Sequence, residues 1–229
     1  MSASTGSPPP RRRGRPPARR REETYDRILR AARVCFSRGG FANTSMTDIA
    51  TAADVTARAL YHYVDSKPEL FAAAAERAYE RFMLALDAQV FVYDDALSRL
   101  HGYVDMYRTL YKEDPSLVAF VSLAVLEASR TPGLRITVPA GVLTSGGAHE
   151  AIVADAVEAG QLGPGIDAAG AKALLDVFGS GLTLMAHPDR DAEYLAMLDA
   201  FEHMLDGPLV LGATAPPAAP PPPGGGPAR

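Results

Sequence analysis

Seven arginines (Arg11, Arg12, Arg13, Arg15, Arg19, Arg20 and Arg21) fall between residues 11 and 21 with no acid among them. A run of guanidinium groups without counter-charge seeks polyanions, of which nucleic-acid phosphate is the commonest. Within it, Arg13-Gly14-Arg15-Pro16 is similar to the core of an AT-hook, whose flat arginines enter a narrow minor groove. The many surrounding arginines favour plain phosphate attraction instead. A second set of polar groups lies between residues 44 and 67. Arg58, Tyr61 and His62 offer a bidentate donor fork and two amphipathic rings, suited to base edges, phosphates or a thymine methyl. Thr44, Ser45, Thr47, Thr56 and Lys67 are donors near helix starts, where the positive helix end favours phosphate.

Other chemistries lack their residues. His101, His149, His187 and His203 are scattered, with no His-x-x-x-His pair and no neighbouring cysteine, so no metal site is expected. Gly179-Ser180-Gly181 lacks the spacing of a nucleophile elbow, and Gly163-Pro164-Gly165 reads as a turn. No enzyme and no cofactor are expected. The single cysteine, Cys35, excludes a disulfide framework and fits a reducing compartment, so a cytoplasmic location is expected. The longest apolar run, Leu117 to Leu126, is far short of the ~18 residues that span a membrane.

The elements that must position these groups read as helices. Residues 22–67 balance six acids against six bases, whereas residues 68–229 carry a net −11. Nucleic acid should therefore meet one end of the molecule only. Pro clusters before residue 18 and after residue 215 mark a basic arm (1–21) and a Pro/Gly/Ala tail (211–229), both without a core to fold on. The internal prolines punctuate helical periods. Tyr25, Ile28, Leu29, Ala32 and Phe36 make one apolar face, closed by Gly39-Gly40. Phe71, Ala74, Ala75, Ala78, Phe82 and Leu86 make a second, opened by a capping box of Ser66 and Glu69. Further helices are expected over 94–112, 115–130, towards 161, 167–186 and 189–206, with 133–148 obscured by Pro139, Gly141, Gly146 and Gly147. The sum is an all-α protein of about nine helices.

Between the first two long helices, Ser45 and Asp48 cap a short helix bearing Ile49, and Ala53-Asp54-Val55 makes a tight turn. Asp54 is placed where a left-handed residue is needed. Thr56 caps the next helix. At about 100° per residue from Ala57, Arg58, Tyr61 and His62 share one arc, while Ala59, Leu60 and Tyr63 share the opposite one. This is helix-turn-helix patterning over 45–64, in which Ala57 and Arg58 sit near the end that reaches base edges.

The run from Thr24 to Tyr79 resembles the DNA-binding domain of TetR-type transcriptional regulators. The resemblance rests on I-L-R-A-A-R-V-C-F-S-R-G-G-F (28–41), T-S-M-T-D-I-A (44–50), L-Y-H-Y-V (60–64) and S-K-P-E-L-F (66–71). Asp54 and Val64 depart from the usual Gly and Phe. The resemblance implies a helix-turn-helix domain over 22–82 and a helical ligand-binding and dimerisation domain over 83–210. It implies a homodimer on a palindromic double-stranded operator, more often as a repressor, released by an apolar or amphipathic small molecule. A constitutive DNA-binding factor and an all-α enzyme are the alternatives. By the same resemblance Tyr103, Met106, Tyr107, Phe120, Leu123 and Leu126 would line the ligand pocket, although core packing explains them equally well. Leu174, Phe178, Leu182, Leu198 and Phe201 would form the subunit interface, or pack only within their own chain.

Overall fold

The structure, a computed structural model, describes residues 17–138, 147–187 and 189–206. Arg13, Arg15 and the tail lie outside the described residues, as does 139–146, the centre of the stretch that patterning left obscure. Nine helices and no strand are present among the described residues. They are α1 (Pro17–Asn43), α2 (Met46–Ala52), α3 (Ala57–Leu60), α4 (Lys67–Gln89), α5 (Ala96–Glu113), α6 (Pro115–Arg130), α7 (Ala148–Glu158), α8 (Ala168–Met185) and α9 (Asp191–Leu205).

α1 starts well before its first apolar position, Tyr25. Pro17 is tolerated in a first turn, and Arg19 pairs with Glu23 one turn on, at 3.4 Å. The last arginines of the basic run are therefore helical. Near the other end, Gly40 (φ 71°, ψ 170°) interrupts the helical path, as only glycine does without strain. That break turns Phe41 back to stack on Phe36 at 5.9 Å and to meet Phe71 edge-on at 5.4 Å.

α1 packs on α2, α4 and α6; α4 continues onto α5 and α6. Phe36 (α1), Phe71 (α4) and Phe120 (α6) form an aromatic seam, with centroids 4.9 Å and 5.0 Å apart along it. One hydrophobic cluster extends from Ile28 to Leu205. At 23 residues, α4 is about 34 Å long and runs from the helix-turn-helix into the body. Beside the seam, the buried Arg33 of α1 donates to Asp114 at 2.6 Å. Asp114 also caps α6 by accepting from the Ser116 backbone N–H at 3.1 Å. Burial pushes the Asp114 carboxyl up, but Arg33, Ser116 and Arg30 together hold it below the usual carboxylate range.

Among the described residues, no helix is long and apolar enough to cross a membrane.

Candidate nucleic-acid interface

Ser45 caps α2 with a reciprocal box. Its Oγ accepts from the Asp48 N–H (3.1 Å), and its own N–H donates to Asp48 Oδ2 (3.1 Å). The Ser45 hydroxyl also donates to the Asp48 carboxylate at 2.6 Å, and these bonds hold that carboxyl below its ordinary pKa. Past α2, Asp54 takes φ 52°, the only non-glycine residue with positive φ among those described. The Asp54 N–H bonds Thr51 O, and the Val55 N–H reaches back to Ala50 O at 3.0 Å. That pair is a Schellman closure with Asp in the left-handed place. From α1, Arg27 Nε donates to Ala53 O at 2.9 Å and ties the turn down.

Thr56 Oγ1 accepts from the Ala59 N–H (3.1 Å) and caps α3. α3 is a single α-turn; His62 and Tyr63 continue it with bonds to Ala59 O and Leu60 O, the tighter three-residue pattern. Leu60 and Val64 are buried, which fixes the segment on the core. Arg58, His62 and Tyr61 (51% exposed) face outward together. Ala57 is half-buried against the core, so any base contact it makes is limited to its methyl. Thr47 and Thr56 are exposed at the two helix starts. Tyr63 is half-buried and stacks on Tyr25 (5.9 Å, 9°), with the Arg21 guanidinium 5.7 Å from its ring. Arg21 thus stands against the Tyr25–Tyr63 stack at the start of α1, a placement that its position within an arginine run could not reveal.

Three expected phosphate donors are spent within the fold, Ser45 on the Asp48 carboxylate as its hydroxyl donates there. Thr44 is buried, and its hydroxyl lies 2.8 Å from Gly40 O and 3.1 Å from Cys35 O, closing the end of α1. Lys67 Nζ donates to the carbonyls of Phe41 (2.7 Å), Thr44 (3.0 Å) and Ala42 (3.3 Å), and sits 4.5 Å from the Phe41 ring. A lysine has three N–H donors, and three carbonyls take them. Lys67 is a latch between α4 and the end of α1, where carbonyls left without helical partners attract a cation. Lys67→Met should lower the thermal midpoint, at a cost of about 1–3 kcal/mol for the orphaned carbonyls, while the salt dependence of DNA binding stays unchanged. A salt slope reduced by about 0.9 would instead return Lys67 to the phosphate contacts. The Ser66–Glu69 start differs in a detail: Ser66 Oγ accepts from the Glu69 N–H, but the Glu69 carboxylate takes the N–H of Asp65, one residue earlier than a reciprocal box requires.

Residues 28–74, which run from α1 through α2 and α3 into α4, match the family model described as bacterial regulatory proteins, tetR family. The chain carries a tetR-family helix-turn-helix domain. Solved structures resemble it well beyond that domain. The ketosteroid transcriptional regulator of Mycobacterium tuberculosis superposes with a TM-score of 0.62 at 16% identity, covering 84% of this chain and 95% of that one. The fatty acid degradation regulator FadR from Bacillus halodurans gives 0.58 at 19%, covering 81% and 96%. The regulator FadR from Bacillus subtilis, solved in complex with stearoyl-CoA, gives 0.57 at 15%, covering 79% and 97%. Identities this low establish a shared fold. No curated protein matches the sequence.

Behind the tetR-family domain, the body departs from the expected pocket. Tyr103, Met106, Tyr107 and Phe120 are buried side chains that fill the interior. Tyr103 and Tyr107 meet edge-on at 5.1 Å, and Leu123 is half-buried, while Leu126 lies at the surface. An apolar cavity opens elsewhere, between α5, α7 and the start of α8. It encloses about 260 Å³ against Leu97, Leu100, Ile152, Val153 and Leu175, with Gln161 on its wall.

The interior contains a buried His149. Its Nδ1 is 2.7 Å from Asp176, its Nε2 is 2.9 Å from the Tyr103 hydroxyl, and Lys172 also binds Asp176 at 2.7 Å. Gly179 lets α8 approach this group, since a Cβ there would collide with the Tyr103 hydroxyl. Burial lowers the His149 pKa below 6.5, against the opposing pull of Asp176, with Lys172 lowering it and Glu150 raising it. A depressed histidine leaves the unfolded chain binding more protons, so its contribution is full above about pH 6.5 and is lost as pH falls through the folded value. Thermal midpoints should therefore decline below pH 6.5, before the carboxylates titrate, and His149→Gln should flatten that first decline. An unchanged profile in the variant would remove His149 from the account.

The interface residues divide. Leu182 and Leu198 are buried within their own chain, which corrects their assignment to a subunit contact. Phe178 and Phe201 stack on each other at 3.7 Å and are half-buried. Leu174, Val177, Leu184 and Met185 are 52–71% exposed. At 3.6 residues per turn these four share one face of α8, with Gly181 at its centre.

Proposed function

We propose that the protein is a homodimeric, one-component transcriptional repressor responsive to a small molecule. Each subunit places Arg58, Tyr61 and His62 in one major groove of a palindromic operator, with Thr47, Thr56 and Arg21 on the flanking phosphates. Residues 22–82, with Arg21 just before them, do this, 83–210 bind the effector and the second subunit, and Arg13 and Arg15 of the arm add phosphate attraction in the cytoplasm. The observation that carries the reading is the outward trio of Arg58, Tyr61 and His62 on a buried Leu60–Val64 footing.

The exposed α8 face supports the dimer, because monomers rarely leave so contiguous an apolar stripe in water. The apolar cavity supports a small apolar or amphipathic effector; its volume admits a compact molecule. An effector that favours a subunit spacing unable to fit two successive grooves weakens operator binding by differential affinity for two states.

The test is recovery of the genomic DNA fragments that the full-length protein retains. An inverted repeat with half-sites one helical turn apart is expected, and fragments with no shared repeat would refute the palindromic reading. A compound screen for release from that DNA then separates a ligand-responsive regulator from a constitutive one.

A further inference from the structure

A second concave site lies where the helix-turn-helix domain meets the body. A cleft of about 510 Å³ is lined by Arg27, Arg30 and Arg33 of α1 and by Arg77 and Arg81 of α4. Three carboxylates, Asp26, Glu113 and Asp114, complete its wall and leave a net charge of +2. The five guanidiniums are engaged unequally. Arg27 is held by Ala53 O, Arg33 by Asp114 at 2.6 Å and Arg81 by Glu113 at 2.7 Å. Arg33 Nε is nonetheless buried without a partner.

Arg30 and Arg77 are only loosely paired. Arg30 lies 3.6 Å from Asp114 and 3.4 Å from Glu113 O. Arg77 lies 3.4 Å from Asp26 and 3.8 Å from Glu80. Both forks face the cleft, one from α1 and one from α4, and each has donors left over. Planar donors of this kind match the paired oxygens of phosphate.

We propose that this cleft binds a small phosphate-bearing anion, held between Arg30 and Arg77. A concave site of this size takes a compact anion. The occupant bridges α1 and α4 beside the Asp114 corner, so it biases how the helix-turn-helix sits on the body. The inference stands apart from the DNA reading, because the binding is measured without DNA.

Calorimetric titration of the full-length protein with inorganic pyrophosphate, at ionic strength held constant with sodium chloride and without divalent ions, tests it. Saturable binding at one site per subunit is expected. Arg30→Gln with Arg77→Gln should weaken it by about ten- to a hundred-fold, the loss of charge-assisted hydrogen bonds, and leave the anion-free melting temperature within a few degrees. Arg77→Lys, which keeps the charge without the fork, should weaken it less. Arg58→Ala should leave it unchanged. Non-saturable heat, equal affinity in wild type and the double variant, or loss of pyrophosphate binding in Arg58→Ala would overturn the proposal. So would a parallel fall in DNA affinity of the double variant in sodium chloride buffer free of phosphate and pyrophosphate, because the two arginines would then be DNA-backbone contacts.

Discussion

Val177→Asp combined with Leu184→Asp is expected to yield a folded monomer that has lost operator binding. Both side chains are more than 60% exposed on one face of α8. Substitutions there remove no core contact, so helix content and melting temperature should change little beyond the loss of partner stabilisation. In a dimer the same face is buried, and two carboxylates per subunit without counter-charge would prevent association. A lone half-site contact leaves affinity near the non-specific level, about a thousandfold or more below the dimer on its operator. Sedimentation velocity reads the mass and fluorescence anisotropy reads the affinity. A wild-type monomer at micromolar concentration would contradict the assignment. Leu182→Asp or Leu198→Asp should behave differently and unfold the chain, because both lie in its own core.

Asp114→Ala should be among the most destabilising single changes outside the aromatic seam. It leaves the buried Arg33 charge without its 2.6 Å partner and removes the α6 cap together. Breaking one side of a buried pair costs about 3–5 kcal/mol. Chemical denaturation should show that loss, and Arg33→Met added to Asp114→Ala should recover much of it by removing the stranded charge. The carboxyl is depressed in the fold, so its contribution is present above the unfolded value of 3.8 and fades as pH falls through the lower folded one. A denaturation midpoint for Asp114→Ala equal to wild type would mean that Arg33 finds other compensation.

Local chemistry was legible where the partner lies within a turn or two of chain. Ser45 and Thr56 cap the helices that patterning assigned to them, and Asp54 adopts the left-handed conformation its place in the turn demanded. The outward arc of Arg58, Tyr61 and His62 survives even though α3 is one turn long, because Leu60 and Val64 anchor the segment. What sequence could not supply was the partner far along the chain. Thr44 and Lys67 have the donors that phosphate needs, but the end of α1 folds beneath them and offers carbonyls first. Tyr103 and Tyr107 lie on an apolar stripe, and a period says which face is inward without saying whether that interior is hollow. Leu182 and Leu184 are two positions apart and face opposite ways. There the signal was present in the helical angle, since Leu182 falls outside the arc shared by Leu174, Val177, Leu184 and Met185.

The most direct test of the recognition face is a pair of binding isotherms, wild type and Arg58→Ala, on a DNA fragment recovered from the genome and on a scrambled duplex of equal length in the same salt. Removing a bidentate guanine contact should cost about 1–3 kcal/mol on the recovered fragment, roughly 5- to 150-fold, and relax discrimination at one base position per half-site. Affinity for the scrambled duplex should barely change, since phosphate attraction from the arm remains. Equal affinity of the two proteins for the recovered fragment would contradict the assignment of Arg58 and its neighbours to the major groove.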